Sequence, residues 1–222
     1  SLVSNTAAFD DRDLGILSEP SPLDIETARN LVFAVDNAGI QVLSRAVGDR
    51  ANRQILDLYE EVINRHGHRD RRFRVELAQH LRPIDFQRFA TWGVLVSALP
   101  FSTIHEGRWI DQRLGPELAR SSFPFRSLLD AGTILTFGSG WINRGSPIDG
   151  IYAAVTRRTL DGLHPQGWIP QQRITVEEAL NAYTAQAAYA AFEETQKGSL
   201  TIGRFADFLI VDRDILAVPV ND

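Results

Sequence analysis

Four strand-like segments, each joined to the next through a helix-like segment, recur in strict alternation along this 222-residue chain. Such alternation dictates parallel strands with right-handed crossovers, because each helix returns the chain to the same end of the sheet. The segments are "IQVLSRAVGD" (40–49), "FRVELAQ" (73–79), "GVLVSALP" (93–100) and residues 133–137 within "AGTILTFGSGWI". The third is almost wholly apolar, as expected of a strand covered on both faces. A doubly wound sheet and part of a (β/α)8 barrel both satisfy the pattern, four units being half of a barrel.

Helix signals fill the intervals. Ser21 reads as an N-cap with Pro22 at the first position and Asp24 three residues on, ahead of Ile25, Ala28, Val32 and Val35 at helical spacing. Ile55, Leu58, Tyr59, Val62 and Ile63 mark a second helix ending near Asn64, and Ile84–Trp92 a short third. Phe101–Pro124 reads as a long loop, and "FRSLLDAG" (125–132) as a helix. Another helix is expected near Ile148–Arg158. Thr175 and Glu178 form a capping box opening a long helix to Phe192. Residues 1–20 read as loop, and 198–214 as a hairpin turning at Ile202-Gly203-Arg204.

Composition narrows the function classes. Apolar residues make up 44% and charged residues 23%, ordinary for a globular protein, and no apolar run is long enough to span a membrane. A net charge of −5 argues against a nucleic-acid partner. The basic run Arg65–Arg72 reads as a solvated loop. Zero cysteines remove disulfides, thiolate chemistry and Cys-ligated metals, which fits a cytoplasmic setting. The chain opens on Ser1 and contains no methionine, so an upstream portion is expected. No G-x-G-x-x-G follows the first strand and there is no Walker loop, leaving nucleotide binding without support.

In parallel α/β folds chemistry collects at the C-terminal strand ends, here Ser44–Asp49, Leu77–Gln79, Ala98–Phe101 and Gly138–Trp141. Around those tips the ordered blocks "AVGDRANRQ", "RVELAQ", "FPFRSLLDAG", "FGSGW", "SPIDGIYAAVTR", "ITVEEALNAYT" and "KGSLTIGRFADFLIVDRD" closely resemble the C-terminal part of amidohydrolase family 3, the YtcJ-like branch of the amidohydrolase superfamily. The resemblance covers roughly residues 9–216. It implies a metal-dependent hydrolase of carbon–nitrogen bonds, built on a (β/α)8 barrel with a small β-sandwich. Residues 1–196 would be part of the barrel, strands five to eight, and 197–222 a hairpin segment of the sandwich. Family metals, such as zinc, are held by a His-x-His pair on strand one, a carboxylated Lys or a Glu on strand four, a His on each of strands five and six, and an Asp on strand eight. Strands one to four are expected upstream of Ser1.

The three ligand positions within reach of this chain are replaced. Where the resemblance expects His, His and Asp, the sequence has Arg45, Leu77 and Gly140. Arg keeps its proton, Leu has no donor atom and Gly offers only backbone, so no metal cofactor and no catalytic residue are expected in this chain. Substitutes are weak. His66 and His68 precede the second strand and belong at the opposite end; His80 follows it without a companion; His105 and His164 sit in loops. Ser139 lacks a nucleophile elbow, and Asp207, Asp212 and Asp214 belong to the sandwich segment.

Two functional readings follow. One is a hydrolase lineage, inactive as this chain alone. The other is a non-catalytic binding or scaffold protein in which Arg45 holds a small anionic ligand, with Glu76 and Trp141 as further binding candidates. The plain alternatives are an ion pair of Glu76 with Arg45 or Arg74, and a Trp141 that only covers the barrel end. Asp49 and Arg50 are expected to brace the loop after the first strand. Open strand edges lead to the expectation of a homo-oligomer, a companion N-terminal half-barrel or an open sheet, with no nucleic-acid or membrane partner.

Overall fold

A computed structural model describes residues 24–140 and 145–218. Its elements are α1 (Ile25–Asn37), β1 (Leu43–Ala46), α2 (Asp49–His66), β2 (Arg74–Leu77), α3 (Phe86–Thr91), β3 (Leu95–Ala98), α4 (Phe101–Glu106), α5 (Ile110–Leu114), α6 (Pro116–Ala119), α7 (Phe125–Asp130), β4 (Leu135–Phe137), α8 (Pro147–Thr156), α9 (Val176–Tyr183) and α10 (Ala185–Ala190). All four strands are parallel and lie in the order β1-β2-β3-β4. The order never reverses, so these strands contain no topological switch point of the doubly wound kind.

Register explains which residues face the core. Ser44, Val75, Val96 and Leu135 form one row, and Arg45, Glu76, Ser97 and Thr136 the next. Successive rows face opposite sides of the sheet. Val75, Val96 and Leu135 join the apolar core together with Leu56, Tyr59 and Val62 of α2. The Tyr59 hydroxyl lies 2.8 Å from Ser44 Oγ, fixing α2 against that side. The other row is polar, and its first member, Arg45, is exposed.

Four local expectations change. The cap of α1 is Asp24, whose carboxylate accepts the Thr27 N–H at 2.9 Å; Ser21 and loop 1–20 lie outside the described residues. Phe101–Pro124 is not a loop but carries α4, α5 and α6. The punctuation is Gly107 after α4, and Gly115 at φ 78 followed by Pro116 at the start of α6. The helix from Thr175 keeps its capping box but breaks at Thr184, whose hydroxyl bonds back to the Leu180 carbonyl at 2.7 Å. In the hairpin segment a turn forms, with Arg204 N–H donating to Thr201 O at 3.1 Å, yet no ladder joins its two arms. Among the described residues its apolar side chains have no second layer to pack on, and an isolated two-stranded ribbon is marginal.

The basic run is also not a solvated loop. Arg71 and Arg72 are buried and tie the N-terminal strand ends together. Asp36, at the end of α1, is 1% exposed and accepts Arg71 Nε at 2.8 Å and Arg69 Nη2 at 2.6 Å, with His66 Nδ1 at 2.8 Å. Burial alone would raise its pKa; the bonds from Arg71, His66 and Arg69 reverse this and hold the carboxyl well below the usual range. Arg72 pairs with Glu194 at 2.7 Å and Asp70 at 3.0 Å, and its guanidinium stands 3.7 Å from the Tyr189 ring and 4.0 Å from that of Phe192. Gln41, just before β1, donates to the Ala190 carbonyl at 2.9 Å. Through these contacts α10 closes the lower end of the sheet.

Candidate functional site

At the opposite, C-terminal end stand the three positions where the family resemblance expects metal ligands. Arg45 is the penultimate residue of β1, Leu77 ends β2, and Gly140 lies three residues beyond β4. Arg45 is exposed and makes no ion pair or side-chain hydrogen bond among the described residues. The pairing with Glu76 does not form, although the two residues are register partners. Glu76 instead accepts Arg74 Nε at 2.6 Å. The carboxylate is satisfied on its own strand, which leaves the Arg45 charge available. Trp141 lies outside the described residues.

Backbone conformation preserves a mark of the site. Leu77 has φ 78 and Ala78 φ 40, while Gly140 has φ 74. A positive φ is easy for Gly, tolerated by Asp, Asn and His, and strained for Leu. The strand end at Leu77 therefore keeps a shape that its side chain does not favour. Guanidinium, isobutyl and hydrogen do not fit a divalent metal. Among the described residues no group of three or more His, Asp or Glu could hold one.

Two histidines, His80 and His66, are tied into the packing of the strand ends. His80 is buried 2.7 Å from Ser122 Oγ, and desolvation pushes its pKa down to about 3. Asn52 in α2 donates to the carbonyls of Gly48 at 2.9 Å and His80 at 3.2 Å, binding the tips of β1 and β2. His66 contacts Asp36, and His68 stacks on Trp92 with ring centroids 6.2 Å apart, both at the lower end as expected. His105 lies in α4 and is exposed, while the His164 carbonyl accepts the Gly167 N–H at 2.9 Å. Ser139 lies beside the Tyr183 hydroxyl, whose pKa burial raises and Ser139 partly lowers. Asp49 is buried in the first turn of α2.

One organising residue escapes sequence reasoning altogether. Arg157, fully buried, donates from Nε to the Trp168 carbonyl at 3.0 Å and from Nη1 to Phe123 O at 2.9 Å. Burial pushes its guanidinium down to about 9, still protonated at neutral pH. Trp168 in turn donates from Nε1 to Asp111 at 3.0 Å. Arg157 follows α8 at φ 58.

The whole chain, residues 1–222, matches the model of Amidohydro_3, the amidohydrolase family. This chain is a member of amidohydrolase family 3. It is 40% identical over 191 residues to LONG AFTER FAR-RED 3 of Arabidopsis thaliana, covering 85% of this chain and 32% of that protein. It is 26% identical over 196 residues to YtcJ of Bacillus subtilis (strain 168), covering 88% and 36%. With N-substituted formamide deformylase of Arthrobacter pascens it shares 30% identity over 187 residues, covering 83% and 34%. The crystal structure of a metal-dependent hydrolase from Pyrococcus furiosus superposes with a TM-score of 0.80 at 28% identity, covering 97% of this chain and 43% of that one. The chain thus spans about a third of those relatives and less than half of that solved structure. These similarities give the chain a hydrolase lineage. No described helix is long and apolar enough to cross a membrane.

Proposed function

We propose that this chain is a half-barrel, strands five to eight of the family fold, that has left hydrolysis behind and holds a small anion at Arg45. The observation that carries the reading is Arg45, without a partner among the described residues, beside a Glu76 already bonded to Arg74. A planar guanidinium in that setting suits a carboxylate, which it can engage through two parallel hydrogen bonds. The similarity to a formamide deformylase supports a lineage acting on carbon–nitrogen bonds, while the donor chemistry of Arg45, Leu77 and Gly140 supports its loss. No metal is held by this chain in this reading, and its setting is cytoplasmic.

Residues 1–196 form the barrel portion and 197–222 contribute to a sandwich layer in this proposal. Strands β1 and β4 are the sheet's edges, so a second body, a companion N-terminal half or another copy, completes the assembly. Calorimetric titration with acetate, succinate and benzoate tests the anion site. Arg45→Ala is expected to weaken binding at least about tenfold, and Arg45→Lys to retain part of it. Equal affinities in the parent and Arg45→Ala chains remove the anion reading.

A further inference from the structure

Among the described residues, seven other than glycine have a positive φ, and five of them belong to one junction at the upper end of the sheet. They are Leu77 and Ala78 at the end of β2, Phe123, Arg157 and Ile169, with φ 78, 40, 48, 58 and 50. Backbone bonds knit the junction. Phe123 N–H donates to the Gln79 carbonyl at 2.6 Å and Leu81 N–H to that of Ser121 at 3.3 Å, with His80 and Ser122 as antiparallel partners. Ala78, Gln79, His80, Ser122, Phe123 and Arg157 are all buried, so the junction is closed by residues of its own. A left-handed backbone is unfavourable for a residue with a Cβ and persists only where the surroundings over-determine it. Five such residues in one place call for a fastener.

We infer that Arg157 is the positioning residue that holds the tip of β2 in this strained course. Its planar guanidinium spans two loops at once. Nη1 donates to the Phe123 carbonyl at 2.9 Å and Nη2 to that of Ser122 at 3.4 Å, while Nε takes the Trp168 carbonyl at 3.0 Å. Trp168 N–H donates back to the Arg157 carbonyl at 2.6 Å, and the rings of Trp168 and Phe125 stand 5.1 and 5.7 Å from the guanidinium carbon. No carboxylate pairs with Arg157 among the described residues. A buried charge without a counter-ion is a costly way to fill space; what it supplies is the direction of its bonds. From Gln79 the tie runs on through the His80 carbonyl to Asn52, which also holds Gly48 just beyond β1. Arg157 thus acts on both strand tips through the backbone, and the inference is independent of the anion reading.

Arg157→Lys keeps the charge and most of the length, but one ammonium cannot fork across both loops. In the parent chain, NMR couplings that report φ are expected to give positive values at Ala78 and Phe123. In Arg157→Lys they are expected to move toward the negative φ that these residues prefer, with amide exchange at His80 and Phe123 at least about tenfold faster. The Leu95 amide, bonded to the Phe73 carbonyl at the lower end, should change less than about twofold. A role in packing alone would speed exchange everywhere and leave the native φ values unchanged. Ala78→Gly adopts a positive φ freely, so adding it to Arg157→Lys is expected to return Phe123 exchange to within about threefold of the parent. The same double variant serves where Arg157→Lys alone is too unstable to measure. Positive φ retained in Arg157→Lys, equal acceleration at Leu95, or a double variant no better than the single one overturns the inference.

Discussion

The two ends of the parallel sheet are finished differently. At the lower end a single buried carboxylate, Asp36, collects Arg69, Arg71 and His66, and Arg72 is held by two carboxylates and two aromatic rings. At the upper end Arg45 has no ion pair or side-chain hydrogen bond among the described residues, and Gly140 offers only backbone. A barrel-type fold separates these duties, with one strand end carrying stability and the other carrying chemistry. The upper residues can therefore change without unravelling the lower ones.

The largest expected effect lies below. Asp36→Ala leaves the Arg71 guanidinium, with 5% side-chain exposure, buried without its counter-charge. A loss of about 3–5 kcal/mol is expected by urea denaturation. A loss under about 1 kcal/mol would mean that water or rearrangement takes the carboxylate's place.

His80 gives a pH-dependent effect of intermediate size. Its folded pKa, about 3, is depressed below that of the unfolded chain, near 6.5. Between those values the unfolded state binds the extra proton, so stability falls as pH drops from about 6.5 toward 3. The slope is at most about 1.4 kcal/mol per pH unit. Substituting His80→Gln should flatten stability measured between pH 6.5 and 4; an unchanged slope would assign it to other groups. The smallest effect belongs above. Arg45→Ala should alter stability by no more than about 0.5 kcal/mol, because nothing in the described chain depends on that side chain. A larger loss would show that Arg45 braces the fold.

The strands and their alternation were legible because apolar periodicity is local, as was the capping box at Thr175. Other features were not, for identifiable reasons. The helices between Phe101 and Pro124 are short and interrupted by Gly107 and Gly115, so no window carries a full helical period. The Arg65–Arg72 run looks solvated in sequence because its partners, Asp36 and Glu194, lie about 35 and 122 positions away. Arg157 is surrounded by carbonyls of distant loops, which no pattern announces. The choice of Arg74 over Arg45 as the Glu76 partner is a matter of side-chain reach on one strand against reach across the ladder. At Leu77, where the resemblance expects a histidine, the backbone has a positive φ that the sequence alone does not announce.

The central claim, a family framework whose strand ends lack the means to hold a metal, is tested most directly by metal content. The purified chain is dialysed with excess zinc, then against buffer, and analysed by plasma mass spectrometry. Far less than one zinc per chain is expected, and Arg45→Ala should not change the result. One tightly retained zinc per chain would contradict the account.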